Sequence, residues 1–447
     1  VKSPALALAL GATFIVSLDS TALVAAFPAL REHFVANSPA AVSWALNAYT
    51  LVYAALLVPL GRWGDHHGRR RAFLAGAALF ALASLACALA PGLASLVAAR
   101  AAQALGAALL TPAALALGLQ SLPAPRRAAV LGLVGATGAL AAAAGPVLGS
   151  CLIELSSWRA VFLLHLPACA WLIRLALRLP ADAPASRPAP ATDWTGSLML
   201  IAAVASLVLA GLHVDRPEHA AAALALLGAA LLAAYVLHAR RHPAPALDLR
   251  LFADRNYRFA NLGALVFGAA FGLMFFSSFL FLTGVWGYAQ GRAGLAAAVG
   301  PLLVVPFALL GGRWAARRGH RPVLVAGGAL FALGQLWYRL RLESAADYLG
   351  VWLPGQLATG AAVGLVLPAL AGAAAAGLPD HALGSGNAVH SALRQLATVF
   401  GVALGVALVG APGAATPRFL QAHALLAFAG LLTALLAWPL RTAAPRA

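Results

Sequence analysis

The chain reads as a succession of apolar runs, most of them about twenty residues or longer, separated by short segments that carry charge or cluster Pro and Gly. A bilayer core of about 30 Å takes about twenty apolar residues in a helix, so each run predicts one span. The runs place helices near 5–30, 44–61, 72–90, 93–120, 129–153, 159–179 and 195–213. Seven more follow near 220–238, 258–283, 292–312, 322–339, 348–373, 384–410 and 420–440, fourteen in all. Nothing alternates over the ten or so residues of a membrane-barrel strand. The expected fold class is an all-α integral membrane protein with 14 transmembrane helices.

Composition sharpens that picture. Of 447 residues, 62% are hydrophobic and only 10% charged, against roughly a quarter charged in soluble domains. The net charge of +17 invites a nucleic-acid reading, but the placement of the Lys and Arg residues answers it. With the N-terminus inside, Arg31, Arg159, Arg216, Arg292, Arg339, Arg341 and Arg418 fall outside, and Arg100 and Arg394 lie within spans. The remaining basic residues fall on cytoplasmic segments, which orients both termini inward. Basicity then reflects topology and attraction to anionic inner-leaflet membrane lipids, with no nucleic acid as partner. Cys87, Cys151 and Cys169 all lie in spans without paired ligand spacing; they read as small packing residues, with no metal site and no disulfide framework. The first run is too long for a secretory signal and is expected to stay as a span.

A Pro/Ala stretch from Pro180 to Pro190 divides the chain and is expected to be an extended cytoplasmic linker. An internal similarity supports a duplication: Gly61-Arg62-Trp63 with Gly68 recurs as Gly312-Arg313-Trp314 with Gly319. Paired helical repeats with a midplane site between them are a recurring transporter plan. The division expected is a six-helix bundle over 1–179, a linker at 180–194 and an inserted two-helix hairpin at 195–238, closed outside by Val214–His219. A cytoplasmic connection at 239–257 then leads to a second six-helix bundle over 258–447.

Four blocks in chain order carry a family resemblance. They are Leu18-Asp-Ser-Thr21 with Pro28; Gly61-Arg-Trp-Gly-Asp65-His-His-Gly68-Arg-Arg-Arg71; Arg100-Ala-Ala-Gln103-Ala-Leu-Gly106; and Gly132 with Gly145-Pro146-Val-Leu-Gly149. Together they resemble the major facilitator superfamily, in particular its fourteen-helix drug:proton antiporter branch, over nearly the whole chain. Val24, His66, Ala104, Ala141 and Ser150 depart from the usual residues. Arg241 to Phe252 also resembles this branch. The resemblance implies a major-facilitator-type fold and a proton-coupled exporter of small amphiphilic molecules, drug or antibiotic in type. It implies alternating access in the cytoplasmic (inner) membrane, with no cofactor beyond the proton gradient. It further implies that Asp65 docks the start of the thirteenth span near Gly384 to Asn387, where free N–H groups favour an anion. The neighbouring Arg69, Arg70 and Arg71 belong to that gate or serve only as topology anchors.

Among the acidic residues, Asp19 alone is expected deep in a span. A buried carboxylate responds strongly to hydration and to a nearby cation, as proton coupling requires. Arg100 is its expected partner, since the two lie within about 5 Å of the same depth at 1.5 Å per residue. Two roles fit the pair: a static polar clamp between helices, or a titrating site. Gly145, Pro146 and Gly149 allow close helix contact and a bend, although a Gly/Ala-rich chain produces small-residue spacing widely. Asn387, His390, Ser391, Arg394 and Gln395 give the thirteenth span a polar density that lipid disfavours, so they line a cavity or bind neighbouring helices. Asn47, Tyr49 and Tyr53, with Phe271 and Phe275 beside Phe267, Met274 and Ser278, suit either an amphiphilic ligand or ordinary helix contacts. His165 and His390 can titrate near neutrality or serve as hydrogen-bonded core residues.

No nucleotide-binding Gly-Lys loop, paired-His metal motif or nucleophile elbow appears, so no enzyme activity is expected. Export or flipping of lipids or lipid conjugates is the second transport reading, with the hairpin shaping a lateral opening. A non-transporting scaffold or sensor is the reading of another class. The substrate is a small molecule or lipid-like compound, and whether a periplasmic or lipoprotein adaptor takes part stays open.

Overall fold

In lipid every backbone N–H and C=O must be satisfied within the protein, and a helix does this inside one segment. The computed structural model of the chain describes residues 4–120, 124–180, 193–212, 218–378, 383–410 and 415–442, and no strand occurs among them. Thirteen described helical segments are long and apolar enough to cross a membrane, and Trp194–Ala210 adds a shorter apolar one. Most of the expected linker and most of the expected outer turn of the hairpin lie outside the described residues.

Two units are distinguished: Val1–Leu207 with Ala225–Leu247, and Val208–Leu224 with Asp248–Ala447. The first contains α1 (Pro4–His33), α2 (Pro39–His67), α3 (Arg69–Ala88), α4 (Leu93–Gln120) and α5 (Ala124–Leu155). Its sixth span is split into α6 (Trp158–Leu163) and α7 (His165–Leu177), and most of α8 (Trp194–Leu212) and α9 (Glu218–Arg241) also belongs to it. The second contains α10 (Arg255–Gly284), α11 (Gln290–Arg318), α12 (His320–Arg341), α13 (Leu353–Ala375), α14 (Leu383–Val409) and α15 (Thr416–Leu436).

The same pairings recur within each unit. Helix α1 packs on α5, α2 and α3 on α4, and α3 on α7; correspondingly α10 packs on α14, α11 and α12 on α13, and α12 on α15. The repeated Gly motif has a matching structural role. The helices around it continue further than their apolar runs suggest, α2 to His67 and α11 to Arg318, and break only at Gly68 (φ 108°) and Gly319 (φ 79°). Positive φ without a Cβ penalty is what a one-residue break between two helices requires. The stretch expected as a loop between the second and third spans is therefore mostly the last turns of α2.

Close approach sets the other contacts. A Cβ on Gly145 would strike Thr21 and stand 2.9 Å from the Ala22 nitrogen, and one on Gly149 would stand 3.0 Å from the Ala22 oxygen. These glycines let α5 lie directly on α1. A Cβ on Gly106 would stand 2.8 Å from the Phe80 Cα, so α3 and α4 also meet backbone to backbone.

The segment after α9 is strapped to the first unit. Asp193 caps α8: its Oδ1 accepts from the Gly196 N–H at 2.8 Å and lies 2.7 Å from His238 Nε2, while its Oδ2 accepts from the Ala246 N–H at 2.9 Å. The Tyr235 hydroxyl accepts from the Leu247 N–H at 2.6 Å. Arg62 Nη1 donates to the carbonyls of Ala244 and Pro245 at 3.2 and 2.9 Å.

Candidate functional site

The first unit encloses a polar cluster in an otherwise apolar core. Asp19 on α1 is 0% exposed and Arg100 on α4 is 1% exposed. Both Asp19 oxygens accept from Arg100 Nη1, Oδ1 at 2.9 Å and Oδ2 at 2.8 Å. Gln103, three residues along α4 from Arg100, donates Nε2–H to Asp19 Oδ1 at 3.1 Å and to the Ser84 hydroxyl at 2.8 Å, and its Oε1 accepts from Arg100 Nη1. The close α3–α4 contact is what brings Ser84 within reach. Arg100 Nε donates to the Ala45 carbonyl on α2 at 2.9 Å, and the guanidinium lies 4.2 Å from the centre of the Tyr49 ring. Four helices thus converge on one buried ion pair. Such a pair needs every remaining lone pair and proton satisfied to offset its desolvation, and Gln103, Ser84, Ala45 and Tyr49 serve that need.

His165 completes the cluster. It opens α7 immediately after the break at Leu164, is 1% exposed, and places Nε2 3.9 Å from Asp19 Oδ1. Phe80 packs edge-on against its ring at 5.5 Å. Neither imidazole nitrogen has a hydrogen-bond partner among the described residues; the Phe162 carbonyl lies nearby, outside hydrogen-bond geometry. The Tyr49 hydroxyl is likewise without one.

Other residues singled out in the sequence fall elsewhere. Tyr49 and Tyr53 stack on each other at 6.0 Å and are buried, Tyr49 against Arg100, and Asn47 donates to Ser43 at 3.3 Å. These three side chains are core of the first unit, and Tyr49 supports the ion pair. Arg69 Nε pairs with Asp65 Oδ1 at 2.7 Å at the α2–α3 break. Arg70 donates to the carbonyls of Ala176 and Leu177, both at 3.0 Å, and so caps the end of α7. The side chains at 383–385, part of the docking place that resemblance gives Asp65, lie outside the described residues. Gly61 lies against Pro112 of α4. Pro146 is buried in α5, where it withholds one backbone donor.

In the second unit His390 is a satisfied core histidine: its Nδ1 meets Asn261 Oδ1 at 3.0 Å, and Asn261 donates to the Tyr257 carbonyl at 2.8 Å. Arg394 and Gln395 are half-buried, and Asn387 is exposed. Phe271 and Phe275 stack at 6.0 Å on a half-buried face of α10 shared with Met274 and Ser278, whereas Phe267 is fully buried against Phe331. The repeat offset puts Ala270 where the first unit has Asp19, so the ion pair has no counterpart in α10.

An apolar cleft of about 650 Å³ lies between α2, α4 and α8. Its α4 wall is Ala98, Ala101, Ala102 and Leu105, and Trp194 and Leu198 face them from α8. At 100° per residue those α4 positions lie opposite Arg100 and Gln103, so the cleft and the ion pair occupy two sides of one helix. Asp193, His238 and His242 are the one His/Cys/Asp/Glu trio among the described residues whose donor atoms lie mutually close, within 4.8 Å. The Asp193 oxygens already take their hydrogen bonds, and His242 Nδ1 accepts from the Ala244 N–H at 3.2 Å. That trio is accounted for as the strap.

Comparison with known proteins places this geometry. The sequence profile described as Major Facilitator Superfamily matches residues 9–239 and 260–447. The chain is 34% identical over 443 residues to Cephamycin export protein CmcT of Amycolatopsis lactamdurans, covering 97% of this chain and 90% of that protein. It is 32% identical to the Probable actinorhodin transporter of Streptomyces coelicolor, covering 90% and 71%. With a Multidrug resistance protein B homolog of Mycobacterium tuberculosis it shares 30% identity, covering 84% and 71%. Among solved structures, a D-xylose-proton symporter superposes with a TM-score of 0.70 over 97% of both chains at 16% identity, a likeness of fold alone.

Proposed function

We propose, from the premise that this chain belongs to the major facilitator superfamily, that it exports small amphiphilic antibiotics or drugs across the cytoplasmic membrane in exchange for protons. It is a multi-pass membrane transporter and not an enzyme. The relatives' printed names support antibiotic and drug export as the substrate class. The observation that carries proton coupling is the Asp19–Arg100 pair, the one acid–base contact buried on both sides among the described salt bridges other than the neighbouring Asp19–His165 approach.

In this reading Asp19 takes up a proton when its side of the cycle opens outward, which weakens its hold on Arg100 and loosens α1 from α4. Loss of the proton to the cytoplasm restores the pair. Gln103 and Ser84 keep the carboxylate oriented through both states, and Ala45 and Tyr49 keep Arg100 in place. A charge crossing 100 mV yields about 2.3 kcal/mol and one pH unit adds about 1.4 kcal/mol. One proton then sustains a gradient of several hundredfold for an uncharged substrate. No cofactor enters this cycle.

Everted vesicles with an acid interior test the proposal, with a labelled cephamycin, actinorhodin and ethidium as probes. The protein should concentrate at least one of them, and Asp19→Asn should equilibrate that compound without concentrating it. Accumulation by Asp19→Asn equal to wild type rules out Asp19 as the coupling group. The cleft between α4 and α8 supports the second reading, export of lipid-like substrates, because it is apolar and bounded by an inserted helix. Headgroup-labelled phospholipid moved in place of the three probes selects that reading.

A further inference from the structure

His165 stands in an arrangement that a static core does not explain. A neutral imidazole carries one donor and one acceptor; both are buried here without a hydrogen bond of good geometry among the described residues, the Phe162 carbonyl being the acceptor close by. Each buried group left unsatisfied costs about 1–3 kcal/mol, and Phe or Leu would fill the same space against Phe80 without that cost. The ring is nevertheless held beside the ion pair, its Nε2 3.9 Å from Asp19 Oδ1. That separation is about 1 Å too long for a hydrogen bond and short enough to close by a small movement. The backbone permits one. Pro167 supplies no N–H to the Leu163 carbonyl, so the sixth span lacks one helical hydrogen bond beside His165 although Leu164 keeps helical dihedrals.

We infer that His165 is the second proton-holding group of the site, accepting the incoming proton at Nε2 and sharing it with Asp19 Oδ1. The inference rests on the proton-coupled reading above and deepens it. The step balances simply: the Nε2 lone pair of the Nδ1–H tautomer takes a proton from water, and the imidazolium closes onto Oδ1 as a charge-assisted donor. Oδ1 then has three donors, Arg100 Nη1, Gln103 Nε2 and His165 Nε2, so the Arg100 contact is the one that competition loosens. Release reverses the order and reopens the gap. The charged groups acting on His165 are Asp19 from α1 and Arg100 from α4, and Tyr49 from α2, Cys87 from α3 and Cys169 from α7 lie in the field of Asp19. Of these only Asp19 offers an anion at neutral pH to hold an imidazolium.

The test is nuclear magnetic resonance of the full chain labelled with 15N-histidine in lipid nanodiscs, needing no transported compound. The His165 signal is identified by its loss in His165→Gln, or in His165→Phe should the first variant not fold. It should convert from neutral to cationic as the medium is acidified. In Asp19→Asn its cationic fraction at the wild-type midpoint should fall about five-fold, the drop produced by a tenfold loss of proton affinity. A signal that stays neutral throughout, or titrates identically in Asp19→Asn, overturns the inference. Vesicle transport separates the two levels of argument. His165→Phe should keep or raise thermal stability yet lose gradient-driven accumulation. Normal accumulation by His165→Phe with failure of Asp19→Asn ends this inference and leaves the Asp19 reading intact. Normal accumulation by Asp19→Asn ends the reading beneath it.

Discussion

At the scale of residues, the buried ion pair is governed by desolvation. Two charges taken out of water are costly, and removing one partner leaves the other uncompensated. Arg100 touches Asp19, Gln103, the Ala45 carbonyl and the Tyr49 ring at once. Arg100→Ala should therefore lower stability by about 3–5 kcal/mol, read as thermal unfolding in detergent. Arg100→Ala combined with Asp19→Asn should cost less than the sum of the two single variants, because the pair is one interacting unit. Strict additivity would show that the two side chains are not coupled. The two histidines singled out in the sequence illustrate what residue identity leaves undecided: both lie in apolar spans, but Asn261 satisfies His390 while His165 has no such partner. Nothing in the residues near either one announces that difference.

Between elements, the strap after α9 shows how a short polar segment is tied to a helical unit. Its centre is Asp193, an N-cap of the kind worth about 0.5–2 kcal/mol to a helix, with the further task of holding Ala246 and His238. Burial pushes the Asp193 carboxyl up, but the N–H groups of Gly196 and Ala246 and the His238 side chain outweigh it and hold it below the usual carboxylate range. A carboxyl depressed in the folded state contributes stability that is present above its unfolded value, about 3.9, and lost as pH falls through the lower folded value. The strap should accordingly persist through mild acidity and open only below about pH 4. Fluorescence of the neighbouring Trp194, in a variant whose other tryptophans are Phe, reads the opening. Asp193→Ala should expose the first turn of α8 to hydrogen exchange already at neutral pH, and unchanged protection there would remove the strap from the account. The sequence places Asp193 in the linker at 180–194 and residues 239–257 in a connection. The signal for more, an Asp directly before a helical run, was present but could not name Ala246 and His238 as its distant partners.

For the whole molecule, the uneven distribution of Arg and Lys predicts an orientation with both termini inward. It places Asn37, between α1 and α2, outside and His67, at the end of α2, inside; both are exposed. With Cys87, Cys151 and Cys169 replaced, Asn37→Cys should react with a membrane-impermeant maleimide in intact cells, and His67→Cys only in everted vesicles. The reverse pattern would invert the topology and with it the assigned direction of export. The two units repeat one set of helix pairings, yet among the described residues the buried ion pair lies in the first. Within the proposal, proton handling belongs to the first unit, and the second offers the half-buried Phe271 and Phe275 face as a surface suited to an amphiphile.

The sequence by itself determined the apolar helical spans and the family, because hydropathy over twenty residues and backbone satisfaction in lipid leave few alternatives. It also singled out Asp19 and Arg100, since a charge in an apolar run is conspicuous and its depth can be counted along a helix. Rotation about the helix axis cannot be counted in that way. Whether Tyr49 lines a cavity or lies on a guanidinium, whether a histidine is satisfied, and which carbonyls Arg70 reaches depend on which face of each helix meets its neighbour. Those faces are set by close contacts such as Gly145 on Thr21 and Gly106 on Phe80. They join residues far apart in the chain, and only the tertiary structure decided them.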